Sequence, residues 1–164
     1  MGLDLSKVTL QFSCQNDLGS DAIRFFEHGG GYSHVDIVTD QGNLLGARSD
    51  VVAGVPAGVQ IRPFNYTTFL RFLPVSIECT PEQKAAFDGF LIAQLGKPYD
   101  TTAILGFVAN RDWRTPDAWF CSELAGAALE QSKIFPFNLA APANKLAPTD
   151  LLLACSVLTN ISGP

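Results

Sequence analysis

Cys121 and His34 are the two residues of this sequence whose types and settings point to chemistry. Cys121 follows two aromatic residues and precedes the run Ser-Glu-Leu-Ala-Gly-Ala-Ala-Leu, which predicts a helix. A thiol at the N-terminus of a helix faces unpaired backbone N–H groups and the positive end of the helix dipole. Both favour the thiolate, which is the nucleophilic form of cysteine. The sequence therefore predicts a reactive cysteine at position 121.

A cysteine nucleophile needs a base, and the sequence offers only two histidines for that role. His28 precedes three glycines at a predicted helix end, and we interpret it as a surface residue favoured by the helix dipole. His34 lies in the strand-like string Tyr-Ser-His-Val-Asp-Ile-Val. A lone histidine in a strand is more often structural than catalytic, but the presence of Cys121 favours His34 as the base.

Composition limits the class of protein. The chain has 164 residues, of which 47% are hydrophobic and 16% charged, which predicts one globular domain over residues 1–164. The net charge is −5 and no basic run occurs, so nucleic acid is not an expected partner. The sequence lacks closely spaced Cys and His pairs and phosphate-binding loops, so we expect neither a metal nor a cofactor.

The sequence also carries expectations about location and redox state. It has no apolar run of membrane-spanning length and no signal-peptide pattern, so we expect a cytoplasmic protein without an integral membrane segment. Cysteines in a reducing compartment are expected to be free. Cys14, Cys79 and Cys155 are therefore interpreted as small buried apolar residues.

Hydrophobic alternation and capping signals predict five strands and four helices. The strands are predicted at residues 8–12, 33–39, 44–47, 59–62 and 69–77, and the helices at 21–26, 81–95, from 117 or 122 to about 132, and 148–153. Pro74 in the last strand indicates an edge, a bulge or a break. Hairpin-linked strands with segregated helices predict an α+β fold with a mainly antiparallel sheet.

Five short motifs, in this order, resemble the circularly permuted branch of the NlpC-like papain superfamily of cysteine peptidases and amidases. This is the YiiX-like branch, to which lecithin:retinol acyltransferase is distantly related. The motifs are Gly31-Tyr32-Ser33-His34-Val35, Gly58-Val59, Gly96-Lys97-Pro98-Tyr99-Asp100, Phe120-Cys121-Ser122-Glu123-Leu124 and Ala147-Pro148-Thr149-Asp150-Leu151. The resemblance implies a permuted papain-like fold, in which an antiparallel sheet or small barrel packs against helices. It also implies Cys121 as the nucleophile and His34 as the base.

The sequence departs from the family where a third residue should orient the histidine. Members of the family commonly carry a polar residue, often Glu, on the strand after the histidine strand, and Gly46 stands at that place here. Asp36 is two residues from His34 and so on the same face of a strand, which makes it the first candidate. Ser49 or Asp50 is an alternative if the hairpin turns at residues 41–42.

Three functions are compatible with this pattern. The first is a thiol hydrolase that cleaves an amide or ester bond of a peptide or N-acyl compound through a thioester on Cys121. The second is a lipid acyltransferase that uses the same Cys121–His34 pair. The third is a catalytically impaired binding module on the same scaffold, which the glycine at position 46 favours.

Overall fold

The computed structural model describes residues 5–15, 31–101, 117–136, 139 and 146–159. The helix predicted at 21–26 and the histidine His28 lie outside the described residues. Every other predicted strand and helix is present. The bounds are β1 Ser6–Cys14, β2 His34–Val38, β3 Leu44–Arg48, β4 Gly58–Arg62, β5 Arg71–Cys79, α1 Pro81–Gln94, α2 Cys121–Gln131 and α3 Pro148–Thr159.

The five strands form one antiparallel sheet in the order β4-β3-β2-β1-β5. The predicted hairpin joins β2 to β3, and its turn is closed by a hydrogen bond from the N–H of Thr39 to the carbonyl of Asn43 at 2.8 Å. Gly42 has a φ of 76° in this turn, a conformation that favours glycine. β5 forms an edge of the sheet and runs unbroken through Pro74, so of the three alternatives the edge is correct. The predicted α+β class and antiparallel sheet are confirmed.

The two faces of the sheet differ in polarity. One face carries apolar residues such as Phe12, Val35 and Leu45, and these belong to the same core as Leu124 of α2. The opposite face, which we call the polar face, carries buried hydrophilic side chains on β1, β2 and β4. Its buried polar residues are Gln11, Ser13, Asp36, Gln60 and Arg62. Because buried polar groups are costly unless they are paired, this face is where a function is expected.

Helix α1 begins with a capping box and packs its apolar side chains into the core. The side chain of Thr80 accepts from the N–H of Gln83 at 3.2 Å, and the side chain of Gln83 accepts from the N–H of Thr80 at 3.0 Å. Phe87 and Leu91 are buried one turn apart. The Thr-Pro-Glu-Gln start predicted from the sequence is confirmed.

Helix α3 is longer than the predicted 148–153 and continues to Thr159. Leu151 and Cys155 lie one turn apart and are both fully buried, so the second turn of the helix is held by core packing. None of the helices in the described part of the chain is long and apolar enough to cross a membrane.

A short backbone ladder braces the segment that leads into α2. The N–H of Val59 at the start of β4 donates to the carbonyl of Lys97 at 2.8 Å. The next residue, Pro98, accepts from the N–H of Trp119 at 3.0 Å, and the carbonyl of Trp119 accepts from the N–H of Asp100 at 3.0 Å. The sheet edge, the loop after α1 and the residues before Cys121 are therefore tied together.

We expect Gly58→Ala to disrupt this brace. Gly58 has a φ of 130°, and a Cβ atom there would lie 2.3 Å from the carbonyl oxygen of Lys97, so the backbone must move. The expected loss is about 1–3 kcal/mol in the free energy of unfolding, measured by urea denaturation. Gly89→Ala is the control, because its Cβ meets nothing within 4 Å and the helix should gain up to about 1 kcal/mol. Equal stability of the two variants would contradict the brace.

Candidate active site

Cys121 is the first residue of α2, with Phe120 as the extended residue before it. The helix therefore starts at neither of the two predicted positions but between them. Phe120 has no side-chain acceptor, so the cap is one-sided: Glu123 Oε2 accepts from the N–H of Phe120 at 3.4 Å. The side chain of Ser122 donates to the carbonyl of Leu146 at 2.5 Å and ties this end of α2 to the start of α3. Cys121 thus lies where the backbone N–H groups of a first helical turn have no carbonyl within the helix.

His34 is the first residue of β2 and lies between Cys121 and Asp36. Its Nε2 atom is 3.0 Å from Oδ1 of Asp36. The thiol of Cys121 also acts on the imidazole electrostatically. Because Nε2 is engaged by the carboxylate, Nδ1 is the ring nitrogen left for the thiol. The structure thus brings together the three residues that the sequence analysis selected.

The electrostatics of the three residues favour a charged imidazole. Burial lowers the pKa of His34, but the negative charges of Asp36 and Cys121 and the hydrogen bond to Asp36 outweigh it and raise that pKa to about 9. Burial raises the pKa of Asp36, but the positive charges of His34 and Arg62 outweigh it and hold that pKa far below its usual value. At neutral pH the site therefore holds an aspartate and an imidazolium.

Gly46 explains how the carboxylate reaches this place. The register pairs Ile37 with Leu45, so Asp36 lies opposite Gly46 on the neighbouring strand. A Cβ atom on Gly46 would lie 2.1 Å from Oδ1 of Asp36. The absent side chain of β3 is therefore the space that the carboxylate of β2 fills. Members of the family that the motifs resemble often carry a Glu on the strand after the histidine strand, whereas here the carboxylate beside His34 lies on the histidine strand itself.

The alternative candidates for the third residue lie elsewhere. Continuing the same register places Arg48, and neither Ser49 nor Asp50, opposite His34. Asp50 instead accepts from Arg48, at 2.6 Å from Nε and 2.9 Å from Nη2. Of the candidates weighed from the sequence, Asp36 is the one that contacts His34.

Arg62 is a site residue that sequence reasoning missed. Its side chain is 0% exposed, and its Nη2 donates to Oδ1 of Asp36, the same oxygen that His34 uses. The guanidinium lies over the ring of Tyr66 at 4.9 Å, and that of Arg48 lies over the same ring at 5.0 Å. An arginine in a short alternating strand is typical of a solvent-facing position, so the sequence carried no sign of its burial.

Tyr99 is packed against the hydrophobic core, and the remaining cysteines lie in the interior of the protein. Tyr99 packs against Phe120 with ring centroids 5.9 Å apart, and burial followed by the nearby charge of Cys121 raises its pKa well above the usual value. All four cysteines are buried and free, as predicted. Burial raises the pKa of Cys155 to about 12 and also raises that of Cys79. In the described ranges no three His, Cys, Asp or Glu residues come together as a metal site.

Comparison of the chain with models of protein families and with curated proteins finds no match. The resemblance to the permuted NlpC-like branch therefore rests on the five sequence motifs.

We expect His34 to make stability depend on pH. Its pKa is raised from 6.5 to about 9, so the folded protein holds this proton more tightly than the unfolded chain. The resulting stabilisation is complete below pH 6.5 and is lost as the pH rises through about 9. Urea unfolding of the wild type between these values should show falling stability, and His34→Gln should show a flatter profile. Parallel profiles would contradict the raised pKa.

We also expect the carboxylate to be exchangeable between the two strands. Asp36→Gly leaves Arg62 as a buried unpaired charge and should cost about 3–5 kcal/mol in the free energy of unfolding. Adding Gly46→Glu returns a carboxylate to the same space from β3 and should recover most of that loss. Adding Gly46→Gln instead supplies similar bulk without charge and is the matched control. Equal stability of the two double variants would show that the carboxylate charge is not what the space requires.

Proposed function

We propose that this protein is a cysteine hydrolase that cleaves an amide or ester bond through a thioester on Cys121. The observation that carries the proposal is the placement of His34, whose Nε2 is 3.0 Å from Asp36 and whose imidazole is acted on electrostatically by the thiol of Cys121. Nucleophile, base and orienting carboxylate in this order are the components of a thiol hydrolase site. Part of the proposal is that the fold is the permuted papain-like one, with the histidine strand before the cysteine helix.

The first half of the reaction forms the thioester. The thiolate of Cys121 attacks the substrate carbonyl carbon, a C–S bond forms, and the carbonyl oxygen becomes an oxyanion. In this proposal the first-turn N–H groups of α2, at Cys121 and Ser122, donate to that oxyanion, which is supported by the start of the helix at Cys121. The imidazolium of His34 gives its proton to the leaving nitrogen or oxygen as the C–N or C–O bond breaks.

The second half releases the acyl group. Neutral His34 takes a proton from a water molecule, whose oxygen attacks the thioester carbonyl. The C–S bond breaks, the carboxylic acid leaves, and the thiolate–imidazolium pair is restored. Asp36 stays ionised throughout, because Arg62 keeps its charge beside the carboxylate while His34 is neutral, and it keeps the ring oriented with Nε2 towards the carboxylate.

A lipid acyltransferase is the second candidate, and an apolar surface near the site favours it. Phe72 on β5 lies opposite Ser13, which lies opposite His34, so all three belong to one row on the polar face. Phe72 is 51% exposed and packs edge-on against Phe64, which also contacts Phe69. These exposed rings could bind the acyl chain of a lipid-like substrate, and an amine or hydroxyl would then replace water as the acceptor.

The proposal predicts that Cys121 is the most reactive thiol of the chain. All four cysteines are almost equally buried, so accessibility alone should not separate them. Burial raises the pKa of Cys79 and Cys155, whereas Cys121 has the imidazolium of His34 beside it. Iodoacetamide near neutral pH should therefore alkylate Cys121 first, measured by peptide mass spectrometry. Cys155→Ala should leave that rate unchanged and His34→Gln should lower it. Equal rates at all four positions would contradict the proposal.

Turnover then separates the two candidate activities. The protein is incubated with short peptide esters, N-acyl amides and fatty acyl thioesters, with and without an amine acceptor. A hydrolase releases free acid regardless of the amine, and an acyltransferase transfers the acyl group to it. Cys121→Ala should abolish either reaction and the acyl adduct on the intact protein. If no substrate leaves an adduct on Cys121, the chain is a binding module on this scaffold.

A further inference from the structure

Arg62 is a fully buried charge beside the candidate site that the proposed mechanism does not use. It lies on β4, and one strand of the sheet, β3, separates it from β2. Its Nη2 reaches Oδ1 of Asp36 across the space above Gly46, and its Nη1 lies 3.5 Å from the carbonyl oxygen of Gly46. The glycine therefore makes room for a carboxylate that two cations approach.

Arg62 and His34 converge on a single oxygen atom. Nη2 of Arg62 is 3.2 Å from Nε2 of His34, and both atoms contact Oδ1 of Asp36. Both nitrogens are donors when the imidazole is charged, so they share the oxygen rather than bond to each other. Oδ2 of Asp36 has no hydrogen-bond partner among the described residues. Arg62 therefore does not bind both oxygens of Asp36, and it does not leave a separate oxygen for His34.

The shared oxygen has a chemical consequence. A buried carboxylate that faces a histidine alone favours the imidazolium strongly, because nothing offsets its charge. An imidazolium held too tightly is a poor acid, and the proposed mechanism needs His34 to give its proton to the leaving group. A second cation on the same oxygen lowers the negative potential at the ring.

We propose that Arg62 is a positioning residue that acts through Asp36: it shares the oxygen that His34 uses and so limits how tightly His34 holds its proton. The effect of Arg62 on turnover rests on the proposed function. Its effect on the proton of His34 is present in the protein without substrate. Tyr66 supports Arg62 by covering its guanidinium with an aromatic face.

A second arginine near the cluster, Arg48, has a carboxylate partner of its own. Arg48 on β3 is neutralised by the two hydrogen bonds to Asp50 and also donates to the hydroxyl of Tyr66 at 2.6 Å. Asp36 on β2 and Cys121 on α2 act on His34 directly, and Arg62 on β4 acts on Asp36. The titratable groups next to these residues include Arg48 on β3, Asp50 and Tyr66 in the loops, and Tyr99 before α2. Arg62 is the cation among these that contacts both Asp36 and His34.

The test is an NMR titration of the His34 ring in full-length protein labelled at histidine, with His34→Gln used to assign the signal. Arg62→Gln removes the charge but keeps an N–H donor for Asp36. We expect the pKa of His34 to rise by about one unit or more in this variant. Arg62→Lys keeps the charge and should restore a value close to that of the wild type. Asp36→Asn removes the carboxylate and should lower the pKa.

Arg48→Gln is the matched control, because Arg48 stacks on the same tyrosine ring but is paired with Asp50. It should shift the pKa of His34 clearly less than Arg62→Gln does. An unchanged or lower pKa in Arg62→Gln, or a shift equal to that of Arg48→Gln, would overturn the inference. If a substrate is found, kcat of Arg62→Gln should fall about tenfold to a hundredfold with KM little changed. Because the titration needs no substrate, its result is separate from the fate of the hydrolase proposal.

Discussion

The buried carboxylate of Asp36 is the constraint on which the rest of the site depends. Its side chain is 0% exposed, and an isolated ion at such a position would be very unfavourable. It persists because His34 and Arg62 approach one of its oxygens and because Gly46 leaves the space that it occupies. Removing His34 or Arg62 would leave the buried carboxylate without one of its partners, and a side chain at position 46 would occupy the space of the carboxylate. The four residues therefore form one unit, although they come from three strands.

The cysteine depends on a different kind of support. Cys121 has no charged anchor of its own; its position follows from backbone hydrogen bonds that connect β4, the loop after α1 and the residues before α2. Two of the motifs that carry the family resemblance, at 58–59 and 96–100, form this brace. Their role is therefore to fix the distance between the sheet and the helix. The polar cluster on the sheet and the thiol on the helix are held separately, and they meet at His34, on which Cys121 acts electrostatically.

The sequence predicted the elements well because their signals are local. The capping box at Thr80, the hairpin turn at Gly42 and the alternation in β2 each require information from only a few neighbouring residues. The site was predicted as far as its three named residues, since chemistry singled out Cys121 and His34 and strand periodicity added Asp36. Arg62 could not be predicted in this way. Its alternation partner Ile61 is 39% exposed while Arg62 is buried, the reverse of what hydrophobicity suggests for a strand.

The inverted burial of β4 follows from the polar face and bears on function. Five side-chain atoms of this face, on Gln11, Ser13, Asp36, Gln60 and Arg62, are buried without a hydrogen-bond partner in the described part of the chain. Apolar replacements would pack there at lower cost, so stability alone gives no reason for such a face. Local disagreement between sequence pattern and burial is concentrated where proteins keep groups for chemistry. In this chain the buried polar residues of this face lie around His34. They therefore indicate the same part of the protein as the thiol at the start of α2.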